Sequence, residues 1–357
     1  MLNNGNVMNN NSATRPLFTI AIPTYNRESS LKDIVTCYLD QEFKDFEIII
    51  ANDYIDKKLS MKSLGIESDS RVTIINNERN LGELENMNFL LDQAKGYYFT
   101  WQFDDDPCSE LFLPTMAIAV SSFRYPDSIF SSYEAIYGNS KKRLKCDSRQ
   151  EAVCYSGPKF VEKYLNRELN VLGCCGFYKL EFLRQLGGVV RLSSGPMALF
   201  SEFLLLVEQM TAKKVVYLNT PLVSTRHHRG SWTYNNNNIT LFQEAGISYI
   251  NESYRILDNF DSTLKHKLFL RVIKFVLATI STKIWQCIKT VSTSRLREYI
   301  NTLKLECSTK LDADTRVIFE NELNIFVKRS WRYFIKAMLK RNLPLFVFNF
   351  YVNLGKK

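Results

Sequence analysis

A chain of 357 residues, 45% hydrophobic and 23% charged, has the make-up of a globular protein with room for one large domain and an appendage, or for two ordinary domains. The formal charge of +9 is unevenly spread. After Glu322 there is no further acid, while Lys328, Arg329, Arg332, Lys336, Lys340, Arg341, Lys356 and Lys357 all follow, so the rest is close to neutral and a uniformly basic nucleic-acid binder is excluded. No stretch reaches the roughly 18 consecutive apolar residues of a membrane span; the nearest, "LPLFVFNFYVNL" at 343–354, is short and carries asparagines. Cysteines at 37, 108, 146, 154, 174, 175, 287 and 307 form no C-x-x-C pair, and no secretory signal precedes them. They read as reduced thiols in a cytoplasmic protein.

The first segment, 1–15, is polar and aperiodic and reads as a disordered tail. Short runs rich in β-branched and aromatic residues follow at "LFTIAI" (17–22), "FEIII" (46–50), "RVTII" (71–75), "YYFTWQF" (97–103) and "SIFSSY" (128–133), and are expected to be strands. Between the first two, Leu31, Ile34, Val35, Tyr38 and Leu39 recur at helical spacing behind Ser29 and Ser30 as expected caps. Between the third and fourth, Leu84, Met87, Leu90, Leu91 and Ala94 do the same, with Gly96 expected as a left-handed terminator. Strands alternating with helices predict an α/β fold with a mostly parallel sheet flanked by helices. A mixed section follows, with a helix at "SGPKFVEKYL", a small-residue segment "GCCG" at 173–176, "GPMALFSEFLLLVEQM", and a strand at "KVVYL". Beyond about 240 the pattern is helical only, and the asparagine run before it sets a boundary at 238/239.

In open parallel sheets ligands bind beyond the carboxyl ends of the strands. The residues at those ends are "PTYNR", "ANDY" and "DDD". Asp104, Asp105 and Asp106 stand side by side and repel one another unless a cation or a set of donors neutralises them. Carboxylate oxygens suit Mg²⁺ or Mn²⁺, which commonly bridge one or two carboxylates to substrate phosphates. "GCCG" lacks zinc-type spacing and reads as small packing residues.

The blocks "IPTYNR", "EIIIAND", "NERNLGELENMNFLLDQAKGYYFTWQFDDD" and "KVVYLNTPLVSTRHHRGS", in this order and spacing, resemble the successive signatures of family 2 glycosyltransferases over residues 17 to about 232. The resemblance implies a GT-A type, Rossmann-like fold for residues 16–238 and an inverting, metal-dependent transfer from a nucleotide-diphospho-sugar, UDP- or dTDP-linked. It implies that Pro23, Thr24 and Tyr25 lie under the nucleobase and ribose, with Arg27 in the same loop, and that Asp53 accepts a hydrogen bond from the base. The usual acidic pair is here Asn52 and Asp53. Two registers stay open for the metal: Asp104 near the ribose with Asp105 on the ion, or Asp104 and Asp106 as the pair. His228 fits the family's R-x-H-x-x-S ending, in step with Arg226 and Ser231, and is the remaining metal ligand the resemblance implies.

Inversion needs a base for the acceptor hydroxyl. The family supplies it at the start of a helix, which here is Glu202, with Ser201 in place of the first acid of the usual pair and Glu208 as runner-up. The departures at Asn52, Phe103 and Ser201 motivate the alternative of a catalytically inactive sugar-nucleotide or glycan-binding module of the same fold.

Residues 239–357 are expected to form an all-helical extension. Across 325–341, Val327, Trp331, Phe334, Ile335 and Met338 share one face, while Lys328, Arg332, Lys336 and Lys340 recur every fourth residue. That pattern suits an anionic membrane surface, which would bring a peripheral enzyme at the inner face to a glycan or lipid-linked acceptor in polysaccharide biosynthesis.

Overall fold

The computed structural model describes residues 15–137, 140–143, 151–227, 236, 238–287 and 292–342. The expected 1–15 tail, but for Arg15, and the apolar 343–354 segment lie outside them. In chain order the elements are β1 (Phe18–Thr24), α1 (Glu28–Leu39), β2 (Phe46–Asn52), α2 (Met61–Leu64), β3 (Val72–Asn76), α3 (Glu83–Gln93), β4 (Tyr98–Trp101), α4 (Phe112–Ser122) and β5 (Ser128–Tyr137). They continue with β6 (Ser140–Arg143), β7 (Ala152–Tyr155), α5 (Gly157–Leu165), β8 (Phe177–Lys179), α6 (Leu180–Leu186), α7 (Ser201–Glu208) and β9 (Val215–His227). Four helices close the chain: α8 (Ile239–Ile256), α9 (Ser262–Gln286), α10 (Thr293–Ser308) and α11 (Ala313–Asn342).

The strands form one sheet in the order β3-β2-β1-β4-β8-β5-β9-β7, with β6 on β5. The half made of β3, β2, β1 and β4 is parallel, as alternating strands and crossover helices require. In the other half β8 runs antiparallel between β4 and β5, β9 is parallel to β5, and β7 is antiparallel to β9. The register sets Thr24 beside Asn52 and Asn52 beside Asn76. Three polar strand ends therefore come level at one edge.

Side chains alternate across the sheet. Phe18, Ile20, Ile22, Ile48, Ile50 and Tyr98 face α1 and α4 in one apolar layer. Ala21, Ile49, Ala51, Phe99 and Trp101 face the other, which is shared with α3, α5 and α7 and continues without a break through Tyr249, Val276 and Leu303 to Phe326. The C-terminal helices are thus packed onto the same layer as α3, α5 and α7. Of the face expected to meet a membrane, Val327 packs against this core and Trp331 lies under the Arg297 guanidinium at 5.8 Å, while Ile335 is 49% exposed. The side chains of Phe334, Lys336, Met338 and Lys340 lie outside those described. Among the described residues no helix is long and apolar enough to cross a membrane.

Two local expectations are corrected. Arg27, not Ser29 or Ser30, is the N-cap residue of α1, and Ser30 Oγ instead donates to Arg27 O. Gly96 is not left-handed; a Cβ there would stand 2.6 Å from Thr19 N and 2.7 Å from the Phe18 carbonyl carbon. The glycine is needed because the chain re-enters the sheet directly against β1.

Candidate active site

The turn after β1 sets the first part of the site. Asn26 adopts a left-handed φ of 54°, which asparagine tolerates better than most residues. It turns the chain so that Tyr25 stands 51% exposed while Arg27 points back at the aspartates. The Tyr25 ring meets Tyr54 edge-on at 5.2 Å, giving an aromatic pair beside the ends of β1 and β2. Such a pair suits a flat heterocycle.

Asn52 and Asp53 both organise loops. Asn52 Nδ2 donates to the carbonyls of Tyr54 and Lys57 and to Asn76 Oδ1, and its Oδ1 accepts from Tyr54 N. An ionised aspartate has no proton to donate there, which accounts for the departure from an acidic pair. Asp53 is 4% exposed; Oδ1 accepts from Leu81 N at 2.7 Å and Asn77 Nδ2 at 3.0 Å, and Oδ2 from Gly82 N at 2.8 Å. Its first task is to shape the 77–82 turn, and Oδ2 keeps acceptor capacity for one more donor.

The three aspartates follow β4 in a segment that Gln102 ties down. Tyr38 OH donates to Gln102 Oε1, and Gln102 Nε2 donates to the carbonyls of Phe103 and Asp106. Phe103 packs against the core. Asp104, 5% exposed, accepts Thr24 Oγ1 at 2.7 Å on Oδ2 and Arg27 Nη1 at 3.0 Å on Oδ1; the same Nη1 lies 2.5 Å from Asp105 Oδ2. Asp106 Oδ1 accepts Arg226 N at 2.7 Å, while Ser224 N donates to Pro107 O and Ser109 N to Leu222 O, so this loop is zipped to β9. Burial pushes the Asp106 carboxyl up to about 7 against the pull of the Arg226 amide, and burial also raises Asp104 despite its Thr24 and Arg27 partners. Arg27 thus offsets the repulsion between Asp104 and Asp105, while Arg226 acts on Asp106.

Two further carboxylates reach this edge. Glu83, the first residue of α3, accepts Ala198 N at 3.0 Å, and burial lifts its carboxyl while it senses Arg27, Asp104 and Asp105. Glu202 lies in the first turn of α7. Burial, then repulsion from Glu83 and Asp106, pushes its carboxyl up to about 7. Tyr133, Tyr164, Cys174, Cys175 and Tyr178 also feel its charge.

Its position is fixed from several sides. Phe200, just before α7, holds a left-handed φ of 62°, which costs an L-residue about 1–2 kcal/mol. Its ring is seated among Phe203, Tyr249 and Phe275. Ser201 Oγ donates to Val190 O at 2.6 Å, the local use of the residue that replaces an acid. Gly173 lies so close to α7 that a Cβ would come 2.0 Å from Glu202 O, so the small residues of 173–176 serve close packing. Glu208 also rises to about 7, by burial and repulsion from Glu252, with Arg255 opposing. Its charged neighbours are thus those of α8, away from the aspartates.

The structure brings together Thr24, Tyr25, Arg27, Asp53, Asp104, Asp105, Asp106 and Glu202; Pro23 supplies backbone at the end of β1, paired with Ala51. His228, Arg229 and Ser231 lie outside the described residues, two to five positions beyond Arg226. Sequence reasoning missed Glu83 and Tyr54. Glu83 sits in the "NLGE" that opens α3, and Tyr54 ends the quoted "ANDY", so position after a strand end was the available signal.

Residues 19–186 match the family described as Glycosyl transferase family 2. They form a family 2 glycosyltransferase domain. Among curated relatives, a GalNAc(5)-diNAcBac-PP-undecaprenol beta-1,3-glucosyltransferase of Campylobacter jejuni is 33% identical over 93 residues, 26% of this chain and 30% of that protein. Glycosyltransferase GlyA of Streptococcus pneumoniae is 23% identical over 222 residues, 60% of this chain and 32% of that protein. The chain thus spans about a third of the length of such relatives. Among solved structures, S. aureus TarS 1-349 in complex with UDP-GlcNAc superposes with a TM-score of 0.65 over 91% of both chains at 15% identity. At that identity the likeness establishes the fold, a GT-A type α/β sheet with helices following it.

Proposed function

We propose that this glycosyltransferase moves a sugar, with inversion, from a nucleoside-diphosphate donor to a hydroxyl of a glycan or lipid-linked acceptor in surface-polysaccharide assembly. The observation that carries the reading is the buried Glu202 carboxyl, near enough to Asp106 and Glu83 to be repelled by both, at the carboxyl edge of the parallel strands that also holds Arg27 and the Tyr25–Tyr54 pair. Tyr25, Tyr54 and the open acceptor position of Asp53 would hold the base, and Thr24 with Asp104 the ribose side. A uridine or thymidine diphosphate sugar is the donor in this reading. Support comes from the TarS neighbour solved with UDP-GlcNAc and UDP, and for the acceptor from the undecaprenol-linked substrate named for the Campylobacter relative.

The donor set suits Mg²⁺ or Mn²⁺, being carboxylate oxygens of Asp104, Asp105 and Asp106. Among the described residues no three acid, histidine or cysteine side chains converge on one point, so phosphate oxygens and water would complete the shell, with His228 as a further ligand. When bound, the ion supplies charge neutralisation to the departing diphosphate. Asp106, held at β9 two residues before His228, is the triplet member we assign to the leaving-group side. Glu202 in its ionised form accepts the proton of the acceptor hydroxyl as that oxygen bonds to the anomeric carbon and the carbon–diphosphate bond breaks on the opposite face.

We further propose that the protein works at the cytoplasmic membrane face, held by the exposed Lys328, Arg329 and Arg332 of α11 and by Trp285, 51% exposed and tilted against Tyr333 at 5.1 Å between ring centroids. A panel of nucleotide sugars with Mn²⁺, Mg²⁺ or EDTA tests the activity. Transfer or donor hydrolysis that EDTA removes is expected. If neither occurs and no nucleotide binds, the reading is wrong; donor binding without turnover would favour the inactive module.

A further inference from the structure

We propose that Arg27 is the resident counter-ion of the acidic edge, holding the Asp104 and Asp105 oxygens from which a divalent ion would draw its carboxylate ligand in either register, so that Arg27 and the ion exclude one another. The inference rests on the metal-dependent reading above and adds an exchange of cations to it. One nitrogen, Nη1, lies between Asp104 Oδ1 at 3.0 Å and Asp105 Oδ2 at 2.5 Å. A divalent ion of this class sits at about 2.0–2.1 Å from each carboxylate oxygen, which leaves no space for a guanidinium nitrogen between the same two atoms.

Arg27 is also able to leave. Its side chain is 33% exposed, against 6% for Asp104 and 18% for Asp105, so of the three it is the group that water can solvate if the pairing is given up. Its backbone follows the left-handed Asn26 at the N-terminus of α1, so the side chain swings without moving the strand. Both bonds use Nη1, and Nε and Nη2 have no carboxylate partner among the described residues. That unused part of the fork suits the diphosphate of an arriving donor, since guanidinium binds phosphate in a bidentate manner. In the exchange Arg27 yields the aspartates to the ion and takes up the phosphate charge. The ion alone must compete with the guanidinium, whereas ion and nucleoside diphosphate together satisfy every group, so the two ligands bind with positive coupling.

The experiment measures Mn²⁺ binding to the full chain by electron paramagnetic resonance and calorimetry, with and without UDP, for the native protein, R27Q, R27M and R27K. Removal of one positive charge in contact with two carboxylates is expected to tighten Mn²⁺ binding without UDP by about tenfold or more in R27Q and R27M. The same variants should bind UDP with Mn²⁺ more weakly than native protein, and Mn²⁺ should raise their melting temperature more than it raises the native one. R27K keeps the charge without the fork and should match native Mn²⁺ binding while losing UDP affinity. A merely structural arginine would weaken or leave unchanged every affinity. Unchanged or weaker Mn²⁺ binding in the charge-removing variants, with native protein binding Mn²⁺ and UDP together, overturns the inference alone. No Mn²⁺ binding by native protein even with UDP overturns the metal-dependent reading and this inference with it.

Discussion

Substituting Glu202 by glutamine tests the proposed base through two opposed effects. Its carboxyl is lifted from the usual 4.5 to about 7 by burial and by Glu83 and Asp106. A base must be ionised, so about a tenth of the enzyme is competent at pH 6 and about nine-tenths at pH 8, and kcat/KM should rise about tenfold across that interval. An ordinary carboxylate near 4.5 would give a flat profile over the same range. The E202Q variant should lose about 10²–10⁴ in kcat with nucleotide affinity unchanged.

The sign for stability is the reverse. A folded-state value above the unfolded one means that stability is full at low pH and is lost as pH rises from about 4.5 through 7. The penalty for ionising Glu202 in the fold is about 1–3 kcal/mol after solvent relaxation. E202Q should therefore be more stable than native protein at pH 8, with a melting temperature a few degrees higher, and the gap should be much smaller at pH 5. The assays are transfer to acceptor at saturating Mn²⁺ from pH 6 to 8 and thermal unfolding at pH 5 and 8. A flat native profile, or more than a tenth of native kcat in E202Q, would refute the reasoning.

G173A places a methyl 2.0 Å from Glu202 O, so α7 must shift; kcat should fall about a hundredfold while calorimetric donor affinity stays native, and equal kcat would show that this contact does not set the base. T24V leaves Asp104 Oδ2 without its hydroxyl in a 5% exposed site, which should cost about 1–3 kcal/mol in denaturant unfolding. Binding to anionic vesicles, read by co-sedimentation, should fall sharply in a K328E/R329E/R332E variant and at high salt; equal sedimentation of variant and native protein would remove the proposed membrane contact.

Much of the fold was legible because its signals are local. The five expected strands and the helices expected over Leu31–Leu39 and Leu84–Ala94 follow from periodicity, and each was found, with strand ends that differ by at most four residues. Gly96 was misread because a conformational use and a packing use of glycine look identical in sequence; the 2.6 Å approach to Thr19 N exists only once β1 and β4 lie side by side. Antiparallel β8 within the sheet went unseen for a similar reason, since the Phe177–Lys179 strand is too short to show alternation.

By itself the sequence determined that polar residues end the first, second and fourth strands, and that three adjacent aspartates need a cation or a set of donors, because strand direction and like-charge repulsion require no knowledge of distant contacts. Only the tertiary structure decided that Arg27 pairs with Asp104 and Asp105, that Glu83 joins the edge, and that Glu202 rather than Glu208 senses the charge of Asp106. The reason is separation along the chain: Arg27 reaches Asp104 across 77 residues and Ala198 reaches Glu83 across 115. Which charges meet over such distances depends on where loops cross when the sheet closes, and that is a property of packing rather than of local pattern.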